Sequence, residues 1–144
     1  MRSTVIFCLA LLLVSPALAR PEINPAEDRE VPYSGTLPPC DHEKALTKVS
    51  KHFAEKEDLF WNSQLTIERI EKIRFVAYRP WGLDYIPRRY CTGVAHLSNG
   101  KKTRVDYSIR EDLGIIGIGF GVEFCVVGYD RNMAYAPNCR MAQP

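Results

Sequence analysis

The chain lacks several features that would point directly to a function. It has no strong charge of one sign, because 19 Lys and Arg side chains stand against 17 Asp and Glu, a formal net charge of +2 at pH 7. Proteins that bind nucleic acid normally carry a clear basic excess, so this balance argues against that class. No apolar run of membrane length occurs, which predicts no membrane span.

The short patterns of common enzymes and cofactor sites are also missing. There is no Gly-x-Ser-x-Gly elbow and no Cys-x-x-Cys pair. Four glycines between residues 114 and 121 run into a predicted strand, whereas a phosphate loop leads into a helix. The histidines, His42, His52 and His96, lack the spacing of metal ligands. We therefore predict no cofactor, no metal and no catalytic residue, and favour a protein that is not an enzyme.

The first residues have the organisation of a secretory signal. A basic start precedes an apolar stretch at residues 5–14, and Ala17-Leu18-Ala19 has the small-x-small pattern that signal peptidase cleaves. We predict a signal peptide at residues 1–19 and a periplasmic or secreted location. Cleavage would remove Cys8.

Four cysteines stay in the predicted mature chain: Cys40, Cys91, Cys125 and Cys139. An even number in an oxidising compartment predicts two disulfides. Cys91 and Cys125 fall on strands that would flank a middle strand, too far apart for a bridge. We favour Cys40–Cys91 with Cys125–Cys139, and the swapped pairing stays open.

The chain divides into a lead-in and one domain. Residues 20–39 are rich in proline and acidic side chains and are predicted to be flexible, whereas residues 40–144 are predicted to form a single domain. A helix is predicted at residues 41–60, with Asp41 as its N-cap and a stop at Asn62. Its apolar stripe comprises Ala45, Leu46, Val49, Phe53 and Phe60.

The rest of the sequence after the predicted helix predicts antiparallel strands at residues 65–78, 90–98, 101–110 and 120–129. A slip in the alternation near Ile70 predicts a bulge or a bend. The fold class is α+β: one N-terminal helix packed on a bent antiparallel sheet of about four strands, held by disulfides. Its shape resembles the cystatin-like and NTF2-like architectures.

The dipeptide Asn99-Gly100 predicts a two-residue turn, which places Ser98 opposite Lys101 and Val94 opposite Val105. The predicted apolar face then carries Tyr90, Thr92, Val94, Val105, Tyr107 and Ile109. The predicted smaller and wetter face carries Cys91, Gly93, Ala95, Arg104, Asp106, Ser108, Glu123 and Cys125.

Three stretches, residues 79–92, 117–125 and 129–140, resemble a group of small secreted proteins from alphaproteobacteria that has no assigned activity. The resemblance covers most of residues 40–142. It implies periplasmic residence and four paired cysteines, and it supplies no catalytic residues.

The best candidate binding segment is the predicted loop that combines aromatic and arginine side chains. Rings give rigid contact area, and guanidinium groups recognise carboxylate or phosphate. The predicted binding residues are Arg79, Trp81, Asp84, Tyr85, Arg88 and Arg89. The leading hypothesis is a non-enzymatic periplasmic binding or interaction module. Its partner would be another envelope protein or an anionic cell-wall component.

Two alternatives stay open. The protein would be a small-ligand carrier or an enzyme if a pocket between helix and sheet were lined by Tyr90, His96 and Tyr107. It would be an inhibitor of a secreted enzyme by analogy with cystatins, although their Gln-x-Val-x-Gly loop is absent from this sequence.

Overall fold

The computed structural model describes residues 33–79, 86–112, 114 and 118–144. The predicted signal peptide lies outside the described residues. One helix packs on a four-stranded antiparallel sheet with the order β1-β2-β3-β4, which confirms the predicted α+β class. The elements are α1 (Glu43–Trp61), β1 (Ile67–Arg79), β2 (Arg88–Leu97), β3 (Lys102–Arg110), β4 (Gly121–Val126) and a short 3₁₀ turn (Arg140–Ala142).

The helix ends where the sequence predicts but starts differently. Asn62 adopts the left-handed conformation of a C-cap, and its N–H donates to the carbonyl oxygen of Asp58 at 3.1 Å. The prediction of Asp41 as N-cap is wrong, because His42 occupies that position and no side chain caps the helix. The Asp41 carboxylate therefore does not accept hydrogen bonds from the free N–H groups of the first turn.

The apolar stripe of α1 is shorter than predicted. Val49 and Phe53 are buried, but Phe60 is 72% exposed. The last turn instead buries Glu57, whose carboxylate accepts a hydrogen bond from Arg131 at 2.7 Å. The Arg131 guanidinium also lies 5.2 Å from the Trp61 ring. The last turn of α1 is therefore stabilised by an ion pair and a cation–π contact.

The bulge predicted near Ile70 is confirmed. The pairing of β1 with β2 shifts register in three places, and at the shift after Glu71 the residue Lys72 has a φ of 51°. Opposite this irregularity lies Gly93, where an added Cβ would approach the Ile70 side chain to 2.9 Å. Gly93 thus allows β1 to cross close to β2.

The turn between β2 and β3 has three residues, so the predicted two-residue turn is wrong. The Gly100 N–H donates to the Leu97 oxygen at 2.9 Å, and Gly100 has a φ of 80°. A left-handed glycine that closes a tight turn in this way belongs to the three-residue hairpin loop. The pairing therefore slips by one residue, and Val94 lies opposite Arg104 rather than Val105.

This slip changes which side chains of β2 face the helix, because neighbouring residues of a strand point to opposite faces. Cys91, Gly93 and Ala95, predicted on the wet face, share the helix-side face with Val105, Tyr107 and Ile109. Tyr90, Thr92 and Val94, predicted on the apolar face, lie on the opposite face, the tail-side face. The observed register buries Ala95 and Leu97 in the core, which the predicted one would have excluded.

The helix-side face forms the hydrophobic core against α1. Phe53 makes edge-to-face contacts with Phe124 and Tyr129, with ring centroids 6.4 Å and 6.1 Å apart. Tyr107 is fully buried, and its hydroxyl donates to the Cys40 carbonyl oxygen at 2.7 Å. A buried hydroxyl with a partner avoids the cost of an unsatisfied polar group.

Both favoured disulfides are confirmed, and they lie on opposite faces of the sheet. Cys40–Cys91 joins the segment before α1 to the helix-side face. Cys125–Cys139 joins the C-terminal tail to the tail-side face, since Cys125 pairs directly with Asp106. Two disulfides are typical of a protein in an oxidising environment.

The described end of the predicted lead-in, residues 33–39, packs against the end of the sheet. The N–H groups of Ser34 and Gly35 donate to the Glu111 carboxylate at 2.6 Å and 2.8 Å. Tyr78 donates to the Gly35 oxygen. The division of the chain into segments stays a prediction. Within the described ranges, no helix combines the length and apolarity needed to cross a membrane.

Candidate functional site

The tail-side face concentrates positive charge. Residues directly opposite in paired strands share a face, and every second residue along a strand returns to it. By this rule the described residues place seven cationic side chains there: Arg69, Arg74, Arg79, Arg88, Lys102, Arg104 and Arg110. The same face carries His96 and three carboxylates: Glu71, Asp106 and Glu123.

Each of the three carboxylates already forms an ion pair with a neighbouring side chain. Arg104 Nε lies 2.9 Å from Asp106, and Arg110 pairs with Glu123. Glu71 contacts both Arg69, at 2.6 Å, and His96 Nε2, at 2.7 Å. The hydrogen bond from Arg69, reinforced by the nearby charges, lowers the pKa of Glu71 and keeps it ionised.

Four cations of this face have no carboxylate within ion-pair distance among the described residues: Arg74, Arg79, Arg88 and Lys102. Two of them, Arg79 and Arg88, lie directly opposite each other on β1 and β2. Arg88 also lies opposite Arg110. Like charges in directly opposite positions are unfavourable, so this row of arginines is a region of positive potential that an anion would stabilise.

A small cavity opens beside this row. It has a volume of about 40 Å³ and lies at the same end of the sheet. Its lining comprises Arg88, Tyr90, Ser108, Arg110, Glu123, Tyr135, Met141 and Ala142. Burial lowers the pKa of Arg110, an effect to which Arg88 adds and which Glu123 opposes. Burial, then Glu123, raises the pKa of Tyr135, so its hydroxyl stays protonated and able to donate.

Asp106, predicted on the wet face, is a structural carboxylate. It is 1% exposed and accepts hydrogen bonds from the Thr92 hydroxyl at 2.7 Å and from Gln143 Nε2 at 3.2 Å, besides Arg104. These bonds attach the tail to the sheet. A wider cleft of about 660 Å³ lies between Arg104 and the tail.

The structure brings together only part of the predicted binding set. Arg79 and Arg88 are neighbours at the end of the tail-side face. Arg89 points to the helix-side face, where its guanidinium lies 5.2 Å from the Tyr78 ring and donates to the Leu37 oxygen at 3.3 Å. Trp81, Asp84 and Tyr85 lie outside the described residues. The binding role of the set stays a prediction.

Sequence reasoning missed Arg110, and it left open whether Tyr135 borders the binding segment or packs the tail. Arg110 falls beside Arg88 only in the observed register, because the predicted pairing would have placed Arg88 opposite Glu111. Tyr135 approaches the sheet because Cys139 fastens the tail to β4. Both positions depend on contacts between segments that are distant in sequence.

The predicted lining of a pocket between helix and sheet is wrong. Tyr107 faces α1, whereas Tyr90 and His96 lie on the tail-side face, so the sheet separates them. The space between α1 and the sheet is filled by buried side chains such as Phe53 and Tyr107. In the part of the chain that the structure describes, no group of three or more His, Cys, Asp or Glu side chains is placed to hold a metal ion.

No protein-family model, curated protein or solved structure matches this chain. The resemblance to secreted alphaproteobacterial proteins and to cystatin-like or NTF2-like shapes therefore stays a prediction. The geometry of the tail-side face is the basis for a functional proposal.

Proposed function

We propose that this protein is a non-enzymatic periplasmic binding module that attaches to an anionic polymer of the cell envelope through its tail-side face. The observation that carries the proposal is the surplus of cations on that face. Three carboxylates are each matched by an arginine, and Arg74, Arg79, Arg88 and Lys102 are left over.

The distribution of these cations favours an extended partner. Lys102 lies near the turn between β2 and β3, whereas Arg79 and Arg88 lie at the far end of the strands. Strands rise about 3.3 Å per residue, so the surplus charges extend over roughly 25–30 Å. A polymer with regularly repeated charges contacts such a surface along its length, and a compact ligand does not.

The proposal is tested by retention on alginate, a polymer with a carboxylate on each sugar. The oxidised protein should be retained at low salt and released at high salt, because salt screens attraction between exposed charges. Neutral dextran should retain nothing. Arg79→Ala with Arg88→Ala should lower the affinity for alginate about tenfold or more, since hydrogen bonds to charged groups are the strong ones.

The matched control changes the same net charge on the other side of the molecule. Lys44→Ala with Lys51→Ala removes two exposed cations from α1. This variant should bind alginate as tightly as the parent protein. Equal losses in the two double variants would mean that net charge alone drives retention, and would contradict a specific face. Capture of an envelope protein without alginate retention would favour the protein partner and overturn the polymer.

A further inference from the structure

The cavity beside the arginine row has more hydrogen-bond donors than acceptors. Arg88 offers five N–H donors and has no carboxylate partner among the described residues. Tyr90 and Tyr135 also line this cavity, and neither hydroxyl group donates a hydrogen bond to another described residue. Such a surplus of donors in a small, partly enclosed space favours an anion that accepts from several directions.

The charge of the lining favours one negative charge rather than two. Two guanidinium groups, of Arg88 and Arg110, stand against the single carboxylate of Glu123. One added negative charge balances the set. A doubly charged phosphate would bring its second charge against Glu123, which is unfavourable at this distance.

The size of the cavity limits which part of a ligand can enter it. Its volume of about 40 Å³ exceeds the roughly 10–15 Å³ that one held water needs but is far below the several hundred Å³ of a pocket that encloses a whole ligand, so it suits a small group such as a carboxylate and not a whole sugar. The rest of the ligand must therefore continue out of the cavity, along the arginine row toward Arg79.

The C-terminal tail supplies one wall. Tyr135, Met141 and Ala142 line the cavity, and the Cys125–Cys139 disulfide holds this part of the tail on β4. The Arg104 guanidinium donates to the Asn138 oxygen at 2.8 Å and adds a second attachment. The cavity is thus complete only when the tail is in place.

We propose that this cavity is a subsite that binds a single carboxylate group of the polymer, with the Arg88 guanidinium as its main donor. The inference rests on the proposed function and names the chemical group that the tail-side face recognises. Tyr135 contributes a neutral donor from the tail. Glu123 holds Arg110 in place and disfavours phosphate.

The test titrates the oxidised protein with sodium acetate, galacturonate and inorganic phosphate, and follows backbone amide signals by NMR at constant ionic strength. Acetate and galacturonate should produce saturable shifts at Ser108 and Tyr135. Inorganic phosphate should bind at least several-fold more weakly, and neutral methyl galactoside should produce no shift. Equal or tighter binding of phosphate would overturn the assignment to a carboxylate.

Arg88→Lys separates recognition from charge, because lysine keeps the positive charge but loses the planar fork that matches a carboxylate. Acetate affinity should fall about tenfold, a loss expected when charge-assisted hydrogen bonds are broken. Tyr135→Phe should weaken acetate binding several-fold. Lys44→Ala, on the opposite side of the molecule, should leave it unchanged. Each variant is checked for an unchanged Tm.

The two proposals fail in different ways. Retention on alginate without acetate binding would overturn the subsite and leave the polymer proposal standing. Absence of both would overturn both. Acetate binding that is unchanged in Arg88→Lys would also contradict the subsite, because the geometry assigns the main contact to that guanidinium.

Discussion

The two faces of the sheet share the same strands but are stabilised by different forces. The helix-side face buries apolar side chains such as Val105, Ile109 and Phe53 against α1. The tail-side face is covered by a short tail and holds together through ion pairs and hydrogen bonds, as at Asp106. Apolar burial supplies most of the folding free energy, whereas partly exposed ion pairs contribute little.

This difference explains how the fold can carry surplus charge. Unpaired arginines on a face that contributes little to the core cost little stability. Because α1 and Cys40–Cys91 secure the other face, the exposed part of the tail-side face, which includes Arg74, Arg79 and Lys102, is available for binding.

The largest effect is expected in the helix-side core. Phe53→Ala should lower the free energy of unfolding by about 3–5 kcal/mol, because it removes a buried ring and leaves a cavity. Phe60→Ala, on the same helix but exposed, is the matched control and should change stability by less than about 0.5 kcal/mol. Urea unfolding measures both. Similar losses would show that the core extends further along α1 than the structure indicates.

The next largest effects on stability are expected from removing the disulfides, and the two should differ in size. Replacing Cys40 and Cys91 by serine opens a loop with a sequence separation of 51 and should cost about 4 kcal/mol in the chain-entropy model. Replacing Cys125 and Cys139 opens a separation of 14 and should cost about 3 kcal/mol.

Hydrogen exchange distinguishes these two variants by location. The variant without Cys125–Cys139 should lose protection in the tail and keep it in α1, whereas the variant without Cys40–Cys91 should lose it throughout. Loss of α1 protection on opening Cys125–Cys139 would mean that the two faces are not independent.

The smallest effect on stability is expected at Tyr107. Burial, and then the charge of Asp41, raises the pKa of Tyr107, so the folded state holds its proton when the unfolded chain releases it. This contribution to stability is complete below the ordinary tyrosine pKa of about 10 and is lost as pH rises above it.

Tyr107→Phe should cost about 1 kcal/mol at neutral pH, because the hydrogen bond to the Cys40 oxygen is lost. The stability of the Tyr107→Phe variant should fall less steeply than that of the parent protein between neutral and strongly alkaline pH, because phenylalanine has no proton to release. Tyr129→Phe, at a tyrosine that is only partly buried, is the control. Identical pH profiles for the parent and Tyr107→Phe would contradict the buried position.

Much of the fold could be predicted from local patterns. The helix, the four strands, the bulge near Ile70 and the stop at Asn62 follow from periodicity and from residues that favour particular backbone conformations. The predicted strand bounds differ from the observed ones by at most three residues. The disulfide pairing was also right, although one premise was wrong, since Cys91 and Cys125 lie on opposite faces.

The face assignment could not be predicted, because a turn of two residues and a turn of three differ by one register step. Asn99-Gly100 is compatible with both turns, and burial of Ala95 and Leu97 against α1 decides between them. The buried position of Glu57 was missed for a similar reason, since its partner Arg131 is distant in sequence.

By itself, the sequence of this protein determined which segments become helix or strand, because these depend on local conformation, and it favoured one disulfide pairing without excluding the swapped one. Only the tertiary structure decided which side chains share the tail-side face. That choice depends on register, and register is set by the free energy of packing the whole sheet against α1. The arginine row and the cavity beside it are consequences of that packing.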